Sequence, residues 1–158
     1  MTPLVVFDCL LFLQGAACSE GPAAACLRLA ETGHVDLCLS SDVLAEVRDV
    51  LARSKLRRKF PALTDETVTA FLTRVSRFAR LVPDVPRAAP LPRDHKDEKF
   101  LDLAVATGAT YLVSRDHDLL DLMDDQTPEG RVFRTNFPQI IILDPVSFLR
   151  TIAGQSAS

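Results

Sequence analysis

Short apolar runs alternate with segments of helical periodicity along almost the whole chain, and few folds accommodate this order. Runs predicted as strands lie at residues 4–7, 35–39, 110–113 and 139–143. Segments predicted as helices lie at residues 23–30, 43–51, 64–80, 98–107 and 119–123, with a last helix from 144 or 147. Strands that alternate with helices build a parallel sheet covered by helices on both faces. We therefore predict a three-layer α/β/α sandwich with a central, mainly parallel sheet of four to five strands.

Residues that start and stop helices set the predicted boundaries. Ser41 and Thr64 are predicted N-caps, and Gly108 is a predicted helix stop. The proline-rich residues 83–92 predict an extended connection, and the polar residues 125–138 predict a long loop. Residues 1–153 are predicted to form a single domain, followed by a disordered tail at 154–158.

The composition is that of an ordinary globular chain. Hydrophobic residues make up 47% and charged residues 25% of 158 residues. No apolar run is long enough to cross a bilayer, and the N-terminus has no basic region or cleavage site of a signal peptide. We expect a cytoplasmic protein that contacts no membrane.

The four cysteines form no CxxC pair, so we interpret them as small buried side chains in a reducing compartment; they are Cys9, Cys18, Cys26 and Cys38. Cys26, His34 and Cys38 have no spacing typical of a structural zinc site. No glycine-rich phosphate loop is present in the sequence, so nucleotide cradling has no support.

Four acidic residues lie where a predicted strand gives way to a helix or just inside that helix; they are Asp8, Glu46, Asp97 and Asp116. Ligands of open parallel sheets bind where the strands end, so these carboxylates are expected to meet there. Crowded carboxylates repel one another unless a cation lies between them. Their oxygens are hard donors that favour Mg²⁺ or Mn²⁺. The pattern favours a metal-dependent hydrolase, with one or two ions.

Each acid also has a purely structural interpretation. Asp8 could be a helix N-cap, and Glu46 could pair with a neighbouring arginine on its own helix. Asp97, Asp116 and Asp118 could be ordinary helix starts. The combination favours a site more strongly than any one residue does.

A basic segment follows the second predicted helix and contains no acid; its charged residues are Arg53, Lys55, Arg57, Arg58 and Lys59. Such a segment could attract phosphates, although the net charge of the chain is −3. It could equally be a solvated helix end whose cations complement the helix dipole.

These motifs together resemble the PIN-domain family, most closely bacterial VapC-like proteins that are the toxin components of toxin–antitoxin pairs. The resemblance is carried by four motifs: the strand ending in Asp8, the Ser-x5-Glu-Val phrase at Glu46, residues 93–104 around Asp97, and residues 109–120 around Asp116. Residues 144–149 are also similar to the closing phrase of the family.

The resemblance implies roles for individual residues. Asp8, Glu46, Asp97 and Asp116 would be both the metal-binding and the catalytic acids. Asp118 would be an accessory acid, and Ser114 the small hydroxyl residue before the fourth motif. Leu10 stands where the family commonly has Asn, an amide that can orient a metal ligand.

The resemblance also implies an activity and partners. The expected reaction is Mg²⁺- or Mn²⁺-dependent hydrolysis of single-stranded RNA, leaving a 5′-phosphate and a 3′-hydroxyl. If the basic segment attracts phosphates, as one of its two interpretations has it, the segment would bind this RNA. An antitoxin protein is an implied partner, and a homodimer is an open alternative to a monomer.

Two other functions remain open from the sequence. A phosphatase or phosphoacceptor domain also places an Asp after its first strand, but the phosphatase needs a second acid where Leu10 stands. A catalytically weak or inactive PIN-like module that binds RNA or protein is the other, and Leu10 makes it conceivable.

Overall fold

The computed structural model describes residues 2–88 and 97–156. Within them a sheet of five strands has the order β3-β2-β1-β4-β5, and every neighbouring pair is parallel. The strands are β1 (Leu4–Phe7), β2 (Asp36–Ser40), β3 (Arg80–Val82), β4 (Tyr111–Val113) and β5 (Ile141–Leu143). The predicted α/β/α sandwich is confirmed.

Helices flank this sheet on both faces. They are α1 (Cys9–Ala17), α2 (Pro22–Glu31), α3 (Ser41–Leu51), α4 (Ser54–Lys59), α5 (Asp65–Phe78), α6 (Glu98–Thr107), α7 (His117–Leu120), α8 (Pro128–Asn136) and α9 (Pro145–Ser156), with a 3₁₀ helix at Asp121–Met123. α1 contacts α2 and α3, α5 contacts the same two helices, and α2 also contacts α9. α6 packs against β1, β2 and β4.

β1 is the central strand, and three of its four residues are buried. Val5 pairs with Leu37 of β2 on one side and with Tyr111 of β4 on the other. The ring of Phe7 meets that of Phe148 on α9 edge-on, with 5.9 Å between centroids. A strand enclosed on both faces must be apolar throughout, which explains the uninterrupted run of apolar residues in β1.

Two of the predicted helix signals are confirmed and one is displaced by a residue. Thr64 caps α5 by accepting a hydrogen bond from the Thr67 backbone, and Gly108 ends α6 with a φ of 66°. The cap of α3 is Ser40 rather than Ser41, because the Ser40 hydroxyl accepts from the Val43 backbone N–H. Either serine could cap a helix, so the sequence did not distinguish them.

Several elements were not predicted. α1 begins directly after Asp8, and α4 is a separate helix rather than the end of α3. β3 begins at the last residue of the segment predicted as one helix over 64–80, and α8 lies inside the predicted loop at 125–138. α9 continues to Ser156, past the predicted domain end at 153.

Two predicted features fall wholly or partly outside the described residues. The connection predicted at 83–92 is described only to residue 88, and the part described contains no helix or strand. The stretch 93–96 of the third motif and residues 157–158 are not described. Across the described chain no single helix is long and apolar enough to cross a membrane; α1 and α2 pass such a test only when joined, and a 98° bend separates them.

Candidate active site

Asp8 lies at the end of β1 and is buried, with 4% of its surface exposed. Its Oδ1 accepts a hydrogen bond from the Leu11 backbone N–H at 3.2 Å and so caps α1. Its Oδ2 accepts a hydrogen bond from the Ser114 hydroxyl. Burial raises the pKa of Asp8 above its ordinary value, hydrogen bonds from Ser114, Leu11 and the Arg115 backbone oppose this, and the charge of Asp116 adds to it. Asp8 is thus both a helix cap and a desolvated carboxylate.

Ser114 connects Asp8 to the loop that carries Asp116. Its side chain is fully buried, and its Oγ accepts a hydrogen bond from the Asp116 backbone N–H at 2.9 Å. Asp116 in turn caps α7 through Oδ1, which accepts from the Asp118 backbone N–H at 2.9 Å. One hydroxyl therefore ties the end of β1 to the loop after β4.

Glu46 lies on α3 and is held by a residue from the third motif. The Lys99 Nζ is 2.8 Å from Glu46 Oε1, and the two side chains are 31% and 23% exposed, respectively. The pairing within α3 that the sequence left open is replaced by this contact between α3 and α6. Lys99 was part of the quoted motif but received no role, because nothing local in the sequence shows what a lysine meets 53 residues away.

Asp97 immediately precedes α6 and is 8% exposed. Its side chain makes no capping hydrogen bond to α6, unlike those of Asp8 and Asp116 to their helices. α6 leads into β4, and a helix that precedes a parallel strand runs back across the sheet. Asp97 therefore lies at the edge where the strands end, and the alternative interpretation of its side chain as a helix cap does not apply.

The thiol of Cys9 lies close enough to Asp8, Glu46 and Lys99 for their charges to act on it. Burial, together with the charges of Glu46 and Asp8, raises the pKa of its thiol to about 12, while the charges of Lys99 and Arg53 act in the opposite direction. A thiol with this pKa is protonated at neutral pH, so it is a poor metal ligand. All four cysteines were predicted from the sequence to be buried. Cys26 and Cys38 are buried, but Cys9 is only partly buried and Cys18 is exposed.

The acids share one edge of the sheet without forming a ready-made cation site. Among residues 2–88 and 97–156, no three Asp, Glu, His or Cys side chains are placed to hold a metal ion together. Asp8 is hydrogen-bonded to a hydroxyl, and Glu46 is paired with an ammonium group. The donors available to an ion are carboxylate oxygens beside a protonated thiol, and this set fits Mg²⁺ or Mn²⁺ better than Zn²⁺.

The basic segment divides into one structural arginine and a set of exposed cations. Arg57 forms an ion pair with Asp65, and its Nε donates to the Leu51 carbonyl at 2.9 Å. Its four companions are exposed; they are Arg53, Lys55, Arg58 and Lys59. The side chain of Arg57 is occupied by these contacts within the protein, so it is less available to bind RNA than the four exposed side chains.

An apolar cleft of about 380 Å³ opens between α1, the start of α2 and the end of α4. Leu10, which is 38% exposed, lines it together with Gln14, Phe60 and Arg115. Leu10 is two residues from Asp8, and Arg115 lies between Ser114 and Asp116. The cleft therefore adjoins the edge of the sheet at which Asp8 and Asp116 lie, which we call the acidic edge.

Residues 4–118 match the PIN domain family, and the chain belongs to that family. PIN domains are generally nucleases and typically use divalent metals, so the fold is of a nuclease type. The matched range contains all four acids, Ser114 and Asp118. A search among curated proteins finds no match.

Proposed function

We propose that the chain is a Mg²⁺- or Mn²⁺-dependent endoribonuclease that hydrolyses phosphodiester bonds of single-stranded RNA. The observation that carries this proposal is the link from buried Asp8 through Ser114 to the loop of Asp116. This link holds the carboxylates of Asp8 and Asp116 at the ends of the neighbouring strands β1 and β4, where their charges interact. A desolvated carboxylate gains more from a nearby cation than an exposed one does.

Roles follow from the placement of each group. Asp8 and Asp97, both buried, would be direct ligands of the ion, and Asp116 would bind it directly or through water. The ion would stabilise the negative charge that develops on the phosphate. Lys99 engages Oε1 of Glu46, so Oε2 would be the oxygen that orients the attacking water and accepts its proton.

The test is a cleavage assay on single-stranded RNA, duplex RNA and single-stranded DNA with Mg²⁺, Mn²⁺ or chelator. We expect cleavage of single-stranded RNA that needs a metal. Asp97→Asn and Asp116→Asn should each lower the rate at least about a hundredfold. Asp49→Asn is the matched control, since Asp49 is exposed on α3. Cleavage in chelator, or full activity in both site variants, would refute the proposal.

A weak or inactive PIN-like binding module is the second candidate. The Glu46–Lys99 ion pair and the lack of a three-acid group within the described residues support it, because both leave the edge less prepared for a cation. The same assay separates the two functions. Binding of RNA without cleavage in either metal would favour the module.

We also propose that the nuclease is the toxin component of a toxin–antitoxin pair and acts in the cytoplasm. This rests on the resemblance of its motifs to those of bacterial PIN toxins. The adjacent gene should then encode a small protein that neutralises it. Expression of the chain alone should arrest growth, expression with that neighbour should not, and Asp97→Asn should be harmless in either case. A homodimer is a further expectation, which sedimentation analysis would test.

A further inference from the structure

The apolar cleft beside the acids has the chemistry of a nucleotide subsite rather than of ordinary packing. Leu10 and Leu13 of α1 supply apolar surface, and Phe60 supplies an aromatic ring. The Lys59 Nζ is 5.6 Å from the centroid of that ring, so a cation adjoins the aromatic surface. Arg115 adds a second cation, and Glu20 adds one negative charge.

Gln14 gives the cleft a hydrogen-bonding group. Its Oε1 is buried, and within the described residues it has no hydrogen-bond partner. A buried acceptor without a donor destabilises the folded state, so rotation of the Gln14 amide toward a ligand N–H group in the cleft would be favoured. Exocyclic amino and ring N–H groups of nucleobases are such donors.

We propose that this cleft binds one unpaired base of the RNA next to the scissile bond. The base would lie against Phe60 and Leu10 and donate a hydrogen bond to Gln14, while Lys59 and Arg115 contact the flanking phosphates. A base can enter only from a single strand, because pairing and stacking enclose it in a duplex. This inference rests on the proposed function and adds a base preference to it.

The volume and the position of the cleft agree with this occupant. At about 380 Å³ it lies in the range of small-ligand sites. Its lining includes Leu10, close to Asp8, and Arg115, directly before Asp116. The apolar Leu10, which cannot orient a metal ligand as an amide could, is here part of the substrate site.

The first experiment measures binding without cleavage. Single-stranded oligoribonucleotides that differ in one base are titrated into the full chain in chelator and followed by fluorescence anisotropy. We expect tighter binding with adenine or uracil at that position than with purine or N3-methyluracil, their counterparts that offer no N–H donor. Phe60→Leu should weaken binding about tenfold, as expected for the loss of base stacking. Gln14→Met, which keeps the volume and removes the amide, should abolish the preference among bases.

Leu81→Ala is the control, since Leu81 is exposed on β3 and does not line the cleft. It should leave affinity and base preference unchanged, and thermal melts confirm that each variant is folded. If Phe60→Leu and Gln14→Met bind every oligonucleotide as wild type does, the subsite is refuted. The same holds if they weaken only the binding of a co-expressed protein partner.

Cleavage with added metal then separates this inference from the proposed function. Base-selective binding without cleavage would retain the subsite and refute the nuclease. Metal-dependent cleavage whose sites are unchanged by Gln14→Met would retain the nuclease and refute the subsite. No binding and no cleavage by wild type would refute both.

Discussion

The ammonium group of Lys99 lies 2.8 Å from Oε1 of Glu46 and joins the first turn of α6 to the middle of α3. It provides a positive charge close to Cys9, whose thiol also experiences the charges of Asp8 and Glu46. In the absence of a metal ion, a lysine side chain thus offsets part of the repulsion at the acidic edge.

Removing this ammonium group should make the fold depend more on metal. Lys99→Met should lower the free energy of unfolding in chelator by about 0.5–1 kcal/mol, the range for a partly exposed ion pair. Added Mn²⁺ should then raise the melting temperature of Lys99→Met more than that of wild type. Thermal melts measure both effects, and a double-mutant cycle with Glu46→Gln isolates the pair.

Lys55→Met is the matched control, because Lys55 is exposed on α4. It should behave as wild type in both buffers. Equal metal-induced shifts in wild type and Lys99→Met would show that Lys99 does not act as a counter-charge for the site.

Asp8 should give stability an unusual dependence on pH. Its folded pKa is raised above the ordinary 3.8, so the folded state binds this proton more tightly than the unfolded state does. The contribution of Asp8 to stability is therefore largest below 3.8 and is lost as the pH rises through the raised pKa. Asp8→Asn should be more stable than wild type above that pKa in chelator, and should gain less stability from Mg²⁺.

Urea unfolding at a series of pH values, with and without chelator, checks this prediction. Asp144→Asn is a control of opposite sign, because hydrogen bonds from Ser147 lower the pKa of Asp144. That group stabilises the fold above the ordinary pKa and loses its contribution as the pH falls through the lowered one. A less stable Asp8→Asn at neutral pH in chelator would contradict the prediction.

Ser114→Ala should damage both the fold and the site. The change removes the donor to Asp8 and the acceptor for the Asp116 backbone N–H. A buried group that loses its partner costs about 1–3 kcal/mol, so the unfolding free energy should fall by that amount. Ser76→Ala, the same change at an exposed position on α5, should have little effect in chemical denaturation.

The basic segment should contribute to RNA binding through its exposed members only. Neutralising Lys55 and Arg58 together should flatten the dependence of log affinity on log salt by roughly one to two units. The cleavage rate at saturating RNA should change little, because these cations hold phosphates away from the reacting bond. Binding titrations at several salt concentrations measure the slope.

Arg57→Gln provides the contrast within the same helix. It breaks the ion pair with Asp65 and the hydrogen bond to Leu51, so it should lower the melting temperature. An unchanged salt slope after neutralising Lys55 and Arg58 would favour a surface helix without a role in RNA binding.

The order of strands and helices could be predicted because buried parallel strands are continuously apolar and packed helices show periodic apolar stripes. Elements with weak stripes were missed. In α8 the buried residues are Gly130 and Phe133, so its sequence is typical of a polar loop. β3 is an edge strand with exposed Arg80 and Leu81, and it carries no burial pattern at all.

The sequence predicts which acidic residues lie at the site, but it does not predict which side chains they contact. A strand end identifies Asp8 and Asp116, since topology alone brings such residues to one edge. The partners Ser114 and Lys99 are contributed by segments far along the chain from Asp8 and Glu46, and such contacts leave no local pattern. The split between Arg57 and its exposed neighbours likewise depends on which way each side chain points.

The central position of β1 has a consequence for synthesis on the ribosome. β1 is made early, yet one of its two neighbours is β4, whose Tyr111 pairs with Val5. A nascent chain that ends before β4 already carries Asp8, Glu46 and Asp97, but it lacks Ser114 and Asp116 and leaves one edge of β1 open. Open strand edges invite pairing with other chains. The growing polypeptide thus lacks part of the candidate site and is vulnerable to aggregation over the same interval, and both conditions end when β4 pairs with β1.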